Sequence, residues 1–247
     1  MRRKKAGRCL AIAMVAACAA LVAIDPAQAA FSASALCKQA KWNAQGKLRL
    51  CLSKNRAGVF LGKPDKEAAC RDKFAAALAK ADAKALAALS SCRFVDNGDS
   101  TISDLDTGLM WEKKTDDFGL RDYRNTFTWT ATGTEPDGTA FTEFVPALND
   151  CVSPNGATMT GGLAGYCDWR LPTVAELTSI LTTACTTGPC IDPVFGPTAN
   201  TMTYTATRVA GAPQQHWNVS FFPPGFPANF NTLTGSFNPV RAVRGGL

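Results

Sequence analysis

Histidine is nearly absent from this chain of 247 residues: there is one, His216. A metal centre built on several imidazoles is therefore excluded. The ten cysteines include no Cys-x-x-Cys pair, which removes the usual zinc knuckles. No Gly-x-Ser-x-Gly occurs, so the hydrolase nucleophile elbow is missing. The longest apolar run near the N-terminus, residues 9–24, has 16 residues, short of the ~20 that span a bilayer. From Ala33 to Leu89 there is a single proline, Pro64, so that stretch is free to be helical. With 46% hydrophobic and 19% charged residues, whole-chain disorder is excluded as well.

What is present begins with an address. Arg2, Arg3, Lys4, Lys5 and Arg8 precede the apolar run, Asp25-Pro26 stops it, and Ala27-Gln28-Ala29 supplies a small-x-small cleavage pattern. Residues 1–29 thus read as a secretory signal peptide. Val15-Ala16-Ala17-Cys18 also fits a lipobox, which leaves a lipid anchor at Cys18 as the alternative. Removal of residues 1–29 leaves eight cysteines, an even number that in an exported chain reads as disulfides. The expected location is the periplasm or cell surface, with no membrane span in the mature chain.

Charge divides the mature chain in two. Residues 30–92 hold 12 basic and 4 acidic side chains, whereas residues 93–247 hold 9 basic and 15 acidic. The first part predicts helices over 33–57 and 66–90 around a turn at 58–65, which carries Gly58, Gly62, Pro64 and a capping Asp65. Cys37 and Cys51 are 14 residues apart and Cys70 and Cys92 are 22 apart, so each pair lies within about 40° on one helix face. Antiparallel folding then predicts the nested bridges Cys51–Cys70 and Cys37–Cys92. Two short alanine-rich helices bury little area and need such staples. The basic face reads first as a solvated helix surface. Anionic polysaccharide or lipid headgroups are its alternative ligands, and export argues against nucleic acid.

In the second part Thr, Gly, Asn, Pro and aromatic residues replace Ala and Lys, the composition of short strands and long loops. Residues 94–111 predict three strands with turns at Asn97-Gly98 and at 105–108, and helices are expected over 141–150 and 172–183. Cys151 and Cys167 flank a Gly-rich loop and Cys185 and Cys190 enclose Thr-Thr-Gly-Pro. Neighbour pairing, Cys151–Cys167 and Cys185–Cys190, is the simplest reading, with cross-pairing of the same four left open.

Three motifs carry a resemblance: DNGDSTISDLDTGLMWEKK at 96–114, DWRLPTVAELTSI at 168–180 and VRAVRGG at 240–246. In that order they resemble the C-terminal domain of collagen-like bacterial adhesins, the Lcl C-terminal domain, over 93–247. The Arg-Leu-Pro-Thr-x-x-Glu stretch is also similar to that of formylglycine-generating enzymes. The resemblance implies an α+β, C-type-lectin-like domain, here preceded by a disulfide-stapled α-helical hairpin. The hairpin itself resembles cysteine-containing helical segments of exported proteins. Trp111, Trp169, Arg170, Glu176, Arg241 and Arg244 belong to the motifs and are expected to fix the fold, with Glu176 and Asp168 as carboxylate partners for the arginines.

Family members commonly carry Tyr-Trp-Ser-Ser-Thr where this chain has Tyr204-Thr-Ala-Thr-Arg208, and residues 221–231 (FFPPGFPANFN) replace a short turn. The candidate ligand residues are accordingly Tyr204, Arg208, His216, Trp217, Phe222 and Phe226. The 221–231 stretch is either a ligand-contacting loop or one that packs its own phenylalanines. Asp96, Asp99, Asp104 and Asp106 depart from the calcium-loop spacing and read as turn residues. Glu135-Pro136-Asp137 precedes the helix at 172–183, and Val219 stands where a carboxylate would be needed, so calcium-held sugar is rejected. No metal, cofactor or catalytic residue is assigned, and His216 reads as a surface or half-buried strand residue. The expected function is adhesion or recognition of a glycan or surface polymer. The alternatives are a structural or assembly role bound to an envelope protein and, third, an enzyme.

Overall fold

The structure, a computed structural model, describes residues 26–87, 92–152, 160–182, 185–231 and 236–246. Most of the expected leader, with Cys18, falls outside these residues. Helix α1 spans Pro26–Phe60 and helix α2 spans Glu67–Ala87. Proline suits the first turn of a helix because the N–H it lacks would have no partner there. At Pro26, where the sequence reading placed a stop, the described chain is already helical. At the other end Gly58 does not break the helix, since an interior glycine costs only ~1 kcal/mol. α1 runs on to Phe60 and closes at Gly62, whose φ is 75°. Gly62 N–H reaches Val59 O at 2.9 Å and Lys63 N–H reaches Gly58 O at 3.0 Å, the paired bonds of a Schellman closure. Asp65 Oδ1 accepts the Glu67 N–H at 2.8 Å and caps α2. The expected continuation of α2 to residue 90 lies outside the described residues.

The bridges are nested: Cys51–Cys70 joins the two helices, and Cys37–Cys92 ties α1 to the chain beyond α2, so Cys92 is not on the helix face expected for it. Cys37, Ala81, Ala85 and Cys92 form a small core of their own.

The remainder is built of short strands and shorter helices, and the whole architecture is α+β. In chain order they are β1 (Phe94–Asp96), β2 (Thr101–Asp104), β3 (Leu109–Glu112) and β4 (Phe127–Thr128). Helix α3 follows, π-wound over Ala140–Phe144 and α over Val145–Leu148. Then come β5 (Cys151–Val152), β6 (Thr160–Gly161), α4 (Val174–Ser179), β7 (Met202–Val209), β8 (Ala212–Ser220), β9 (Phe226–Asn231), β10 (Phe237–Asn238) and β11 (Val243–Gly245). The main sheet has the order β1-β2-β3-β11, antiparallel throughout. A second sheet, β7-β8-β9, is likewise antiparallel, and β4 with β10 and β5 with β6 make two small ribbons.

Two boundaries differ from the sequence reading. The helix expected over 172–183 shortens to α4, because Thr173 caps it, which leaves Pro172 outside its first turn, and Leu181 leaves to bridge Ile191. The phenylalanine-rich stretch is not all loop: from Phe226 onward it is β9, paired to β8.

Bridges Cys151–Cys167 and Cys185–Cys190 close the local loops. One core packs Ile102, Trp111, Leu177, Phe195, Val219, Phe221 and Val243 between the main sheet, α4 and β8. The other collects Phe127, Trp129, Phe144, Trp169, Tyr204 and Val240. The hairpin lies against the main sheet through α1. Gln45 Nε2 donates to Asp104 O at 3.1 Å, and Lys41 Nζ stands 2.5 Å from Asp82 and 2.5 Å from Asp106. Lys41 is buried, so this face of α1 is not the solvated lysine surface the composition implied.

Candidate functional site

The motif residues are held by one another. Arg170 grips Glu176 with two hydrogen bonds, 2.8 and 2.6 Å. Glu176 also accepts the Thr173 N–H at 2.8 Å while Thr173 Oγ1 accepts the Glu176 N–H, a complete capping box. These contacts draw the Glu176 carboxyl below its ordinary range although its partial burial works the other way. Arg244 pairs with Asp168 at 2.5 and 3.2 Å and lies 3.6 Å from the Tyr166 ring centroid. Arg241 finds no carboxylate bond. It is buried and donates to Glu112 O at 2.7 Å, Phe195 O at 3.2 Å and Thr198 Oγ1 at 2.8 Å, tying β3 to the chain before β11. Trp111 and Trp169 are core residues.

The six ligand candidates do not converge. Tyr204 is buried and donates its hydroxyl to Ser236 O at 2.9 Å. His216, 2% exposed, stacks on Trp129 at 4.8 Å and meets the Tyr204 ring edge-on at 5.1 Å. It is a core residue, not a surface or half-buried one, because β8 turns it inward. Neither ring nitrogen has a partner in good hydrogen-bond geometry, although the nearby Asn218 amide weakly favours the proton. Burial dominates and pushes the imidazole down to about 4. Arg208 pairs with Glu135 at 2.5 Å, and Trp217 is half-buried on β8. Phe222 and Phe226 are exposed at the opposite end of β8, while Phe221 is buried. The inserted stretch thus divides its phenylalanines between core and surface.

The aspartates serve turns and ion pairs. Asp96 accepts the Gly98 N–H, Asp99 accepts from Thr101, and Asp104 takes both ends of Arg93 at 3.0 and 2.7 Å. Asp137 accepts from Thr130, Ala131 and Thr132. Cys37, Cys92 and Asp82 come within 4.8 Å of one another, but both sulfurs are consumed in their bridge and Asp82 faces Lys41. The arrangement cannot hold a metal as it stands.

A different place has the shape of a binding site. An open cleft of about 720 Å³ runs between α1 and the edge of the main sheet. Trp42, Lys47, Arg49 and Leu50 line one wall; Met110, Tyr166, Arg244 and the backbone of Gly245 and Gly246 line the other. Trp42 is 52% exposed, and Tyr166 also shows its ring to solvent. The cleft combines the open indole of Trp42, and a Tyr166 ring that Arg244 already covers on one side, with the exposed cations Lys47 and Arg49; Arg244 itself is held by Asp168. Aromatic faces receive flat apolar surfaces, and arginines receive carboxylate or sulfate. The sequence reading missed it. Its one local signal is Trp42, a lone aromatic within a Lys/Gln/Asn-rich helical stretch; the opposing wall comes from residues far along the chain.

Comparison with protein families gives a match to the Lcl C-terminal domain over residues 100–244, more than half of the chain. No curated protein and no solved structure matches. The matched segment supplies most of the sheet wall of the cleft, and the α1 wall lies outside it.

Proposed function

The chain belongs to the Lcl C-terminal domain family, and on that premise we propose that it is an exported adhesin-type binding module that lays a glycan, or a comparable envelope polymer, along the cleft between α1 and the main sheet. The family membership supports a surface or adhesin-like role. The single observation that carries the ligand class is the cleft itself, where Trp42 and Tyr166 stand among Lys47, Arg49 and Arg244. A sugar ring offers one apolar face to an indole or phenol, and its acidic substituents suit the cations. Four disulfides favour an oxidising compartment, and no described helix is long and apolar enough to cross a membrane. We read residues 93–247 as C-type-lectin-like on the two short helices, the antiparallel sheets and the Arg170–Glu176 motif. No reaction is assigned; His216 is buried, with its ring against Trp129 and Tyr204.

A glycan array at low salt, run with and without chelator, tests the reading. Wild-type protein should bind a restricted set, anionic members foremost, indifferent to chelator. Trp42→Ala and Tyr166→Ala should each weaken that binding about tenfold or more, the loss of one stacking contact plus its buried area. An empty array, or variants that bind like the parent, overturns it. The runner-up, a structural module docked to another envelope protein, is favoured by the exposed Phe222 and Phe226 at the β8–β9 turn. It predicts that Phe222→Ser, and not Trp42→Ala, removes the interaction.

A further inference from the structure

The far end of the hairpin has a use that the cleft does not absorb. Val59, Phe60 and Leu61 sit at the tip with 46%, 90% and 71% of their surfaces in solvent. Single exposed apolar residues are ordinary; three in succession at an apex mark an interaction surface. The helix ending explains why they project. In a Schellman closure the residue after the glycine is often apolar and folds back on the helix. Here that residue is Lys63, so nothing covers the three side chains.

The tip is also stiff. Asn55 Oδ1 accepts the Lys66 N–H at 2.8 Å, Asn55 Nδ2 donates to Asp65 Oδ1 at 2.7 Å, and Cys51–Cys70 locks the helices behind the turn. Apolar residues held open this way lose little conformational freedom on docking.

The charge around the apex decides the partner. Lys54, Arg56, Lys63 and Lys66 are all exposed, and no ion pair engages them among the described residues. The acids at this end are already occupied: Asp65 caps α2, and Glu67 holds Arg71 at 2.7 Å. From Phe60 back to Arg56 is about 6 Å along the helix. An apolar point below a collar of cations, separated by that depth, matches the layering of a bilayer interface, acyl chains beneath phosphates. We propose that the hairpin tip, Val59-Phe60-Leu61 with its cationic collar, inserts into the interface of a membrane containing anionic phospholipid. The nearest cleft residue on this helix, Leu50, lies 10 residues back from Phe60, about 15 Å, and Trp42 18 residues back, about 27 Å, so the cleft stays above a tip inserted by about 6 Å.

Co-flotation with vesicles tests this, using the chain from residue 26 onward because the apolar run at 9–24 would partition by itself. The protein should float with vesicles of equal parts phosphatidylcholine and phosphatidylglycerol, and about tenfold less or weaker with phosphatidylcholine alone. Phe60→Ser/Leu61→Ser, at exposed positions that should leave circular dichroism and Tm unchanged, should lower partitioning about tenfold or more. Lys63→Glu/Lys66→Glu should remove the preference for the anionic lipid. Phe60→Trp gives an independent readout: relative to the parent protein, the added emission should shift to the blue and be quenched by brominated acyl chains. Failure to float with the anionic vesicles overturns the proposal. So does parent-like binding by Phe60→Ser/Leu61→Ser, which would mean adsorption by charge alone, or an introduced indole that stays unquenched, as a tip that seats in a protein would leave it.

Discussion

The ammonium of Lys41 lies 2.5 Å from Oδ1 of Asp106, which joins helix α1 to the β2–β3 turn across 65 residues of chain. Asp82 of α2 stands at the same distance on its other side. One buried cation thus holds three segments, and Gln45 and Arg93 bracket it through Asp104.

Lys41→Met should be costly for that reason. It leaves Asp82 without its cation and Asp106 with only Arg93, 3.9 Å away; because both acids reach solvent, the loss is about 2 kcal/mol, less than for a fully buried pair. Urea unfolding measures the total, and hydrogen exchange along α1 shows where it falls. Wild-type stability in the variant would mean the pair contributes nothing.

His216 should make the protein acid-sensitive before its carboxylates do. Its folded pKa lies near 4, below the ordinary 6.5. Between those values the unfolded chain binds more protons than the folded one. Stability is therefore whole above pH 6.5 and lost as pH falls toward 4, by about 3 kcal/mol over the full shift. His216→Phe should flatten the profile between pH 4.5 and 6.5, roughly the window of the shift. Equal slopes in both proteins would show that the histidine does not titrate there.

Glu176 serves two partners at once, and its removal should exceed the loss of either. Thr173→Ala should cost about 1 kcal/mol, the worth of one helix cap. Glu176→Ala should cost about 2–3 kcal/mol, because Arg170 loses both of its charged bonds too. Thermal unfolding of the two variants side by side checks the order.

The bridges should differ in worth by the length of chain they close. Cys37–Cys92 encloses a separation of 55 residues and Cys185–Cys190 one of 5. Loop entropy gives about 4 kcal/mol for the first and about 2 kcal/mol for the second. Replacement of each pair by alanine, followed by urea unfolding, should reproduce that order; a reversal would place the effect in native packing.

Much of the local structure was legible because it depends on near neighbours. Asn97-Gly98 and the 105–108 turn delimit β1, β2 and β3 since few residues tolerate those backbone angles. The helical phase of Cys37, Cys51 and Cys70, with antiparallel folding about the 58–65 turn, leads to the nested order, although Cys92 lies beyond α2. Helix ends were less legible. Gly58 and Pro26 look like breakers, yet both lie within α1, which the paired bonds from Gly62 and Lys63 close only after Phe60.

The site was the least legible part. A polar or aromatic strand residue can face either way, and nothing near His216 or Tyr204 in the sequence says that Trp129 closes over them. The cleft needs Trp42 and Tyr166, more than a hundred residues apart, to face one another, and Lys41 and Asp106 bring those walls together. By itself the chain order determined the strand-and-turn pattern, the stapled hairpin and the family. Burial, ion-pair partners and the shape of the cleft were decided only in three dimensions, because each depends on the free energy of contacts between segments that the sequence keeps apart.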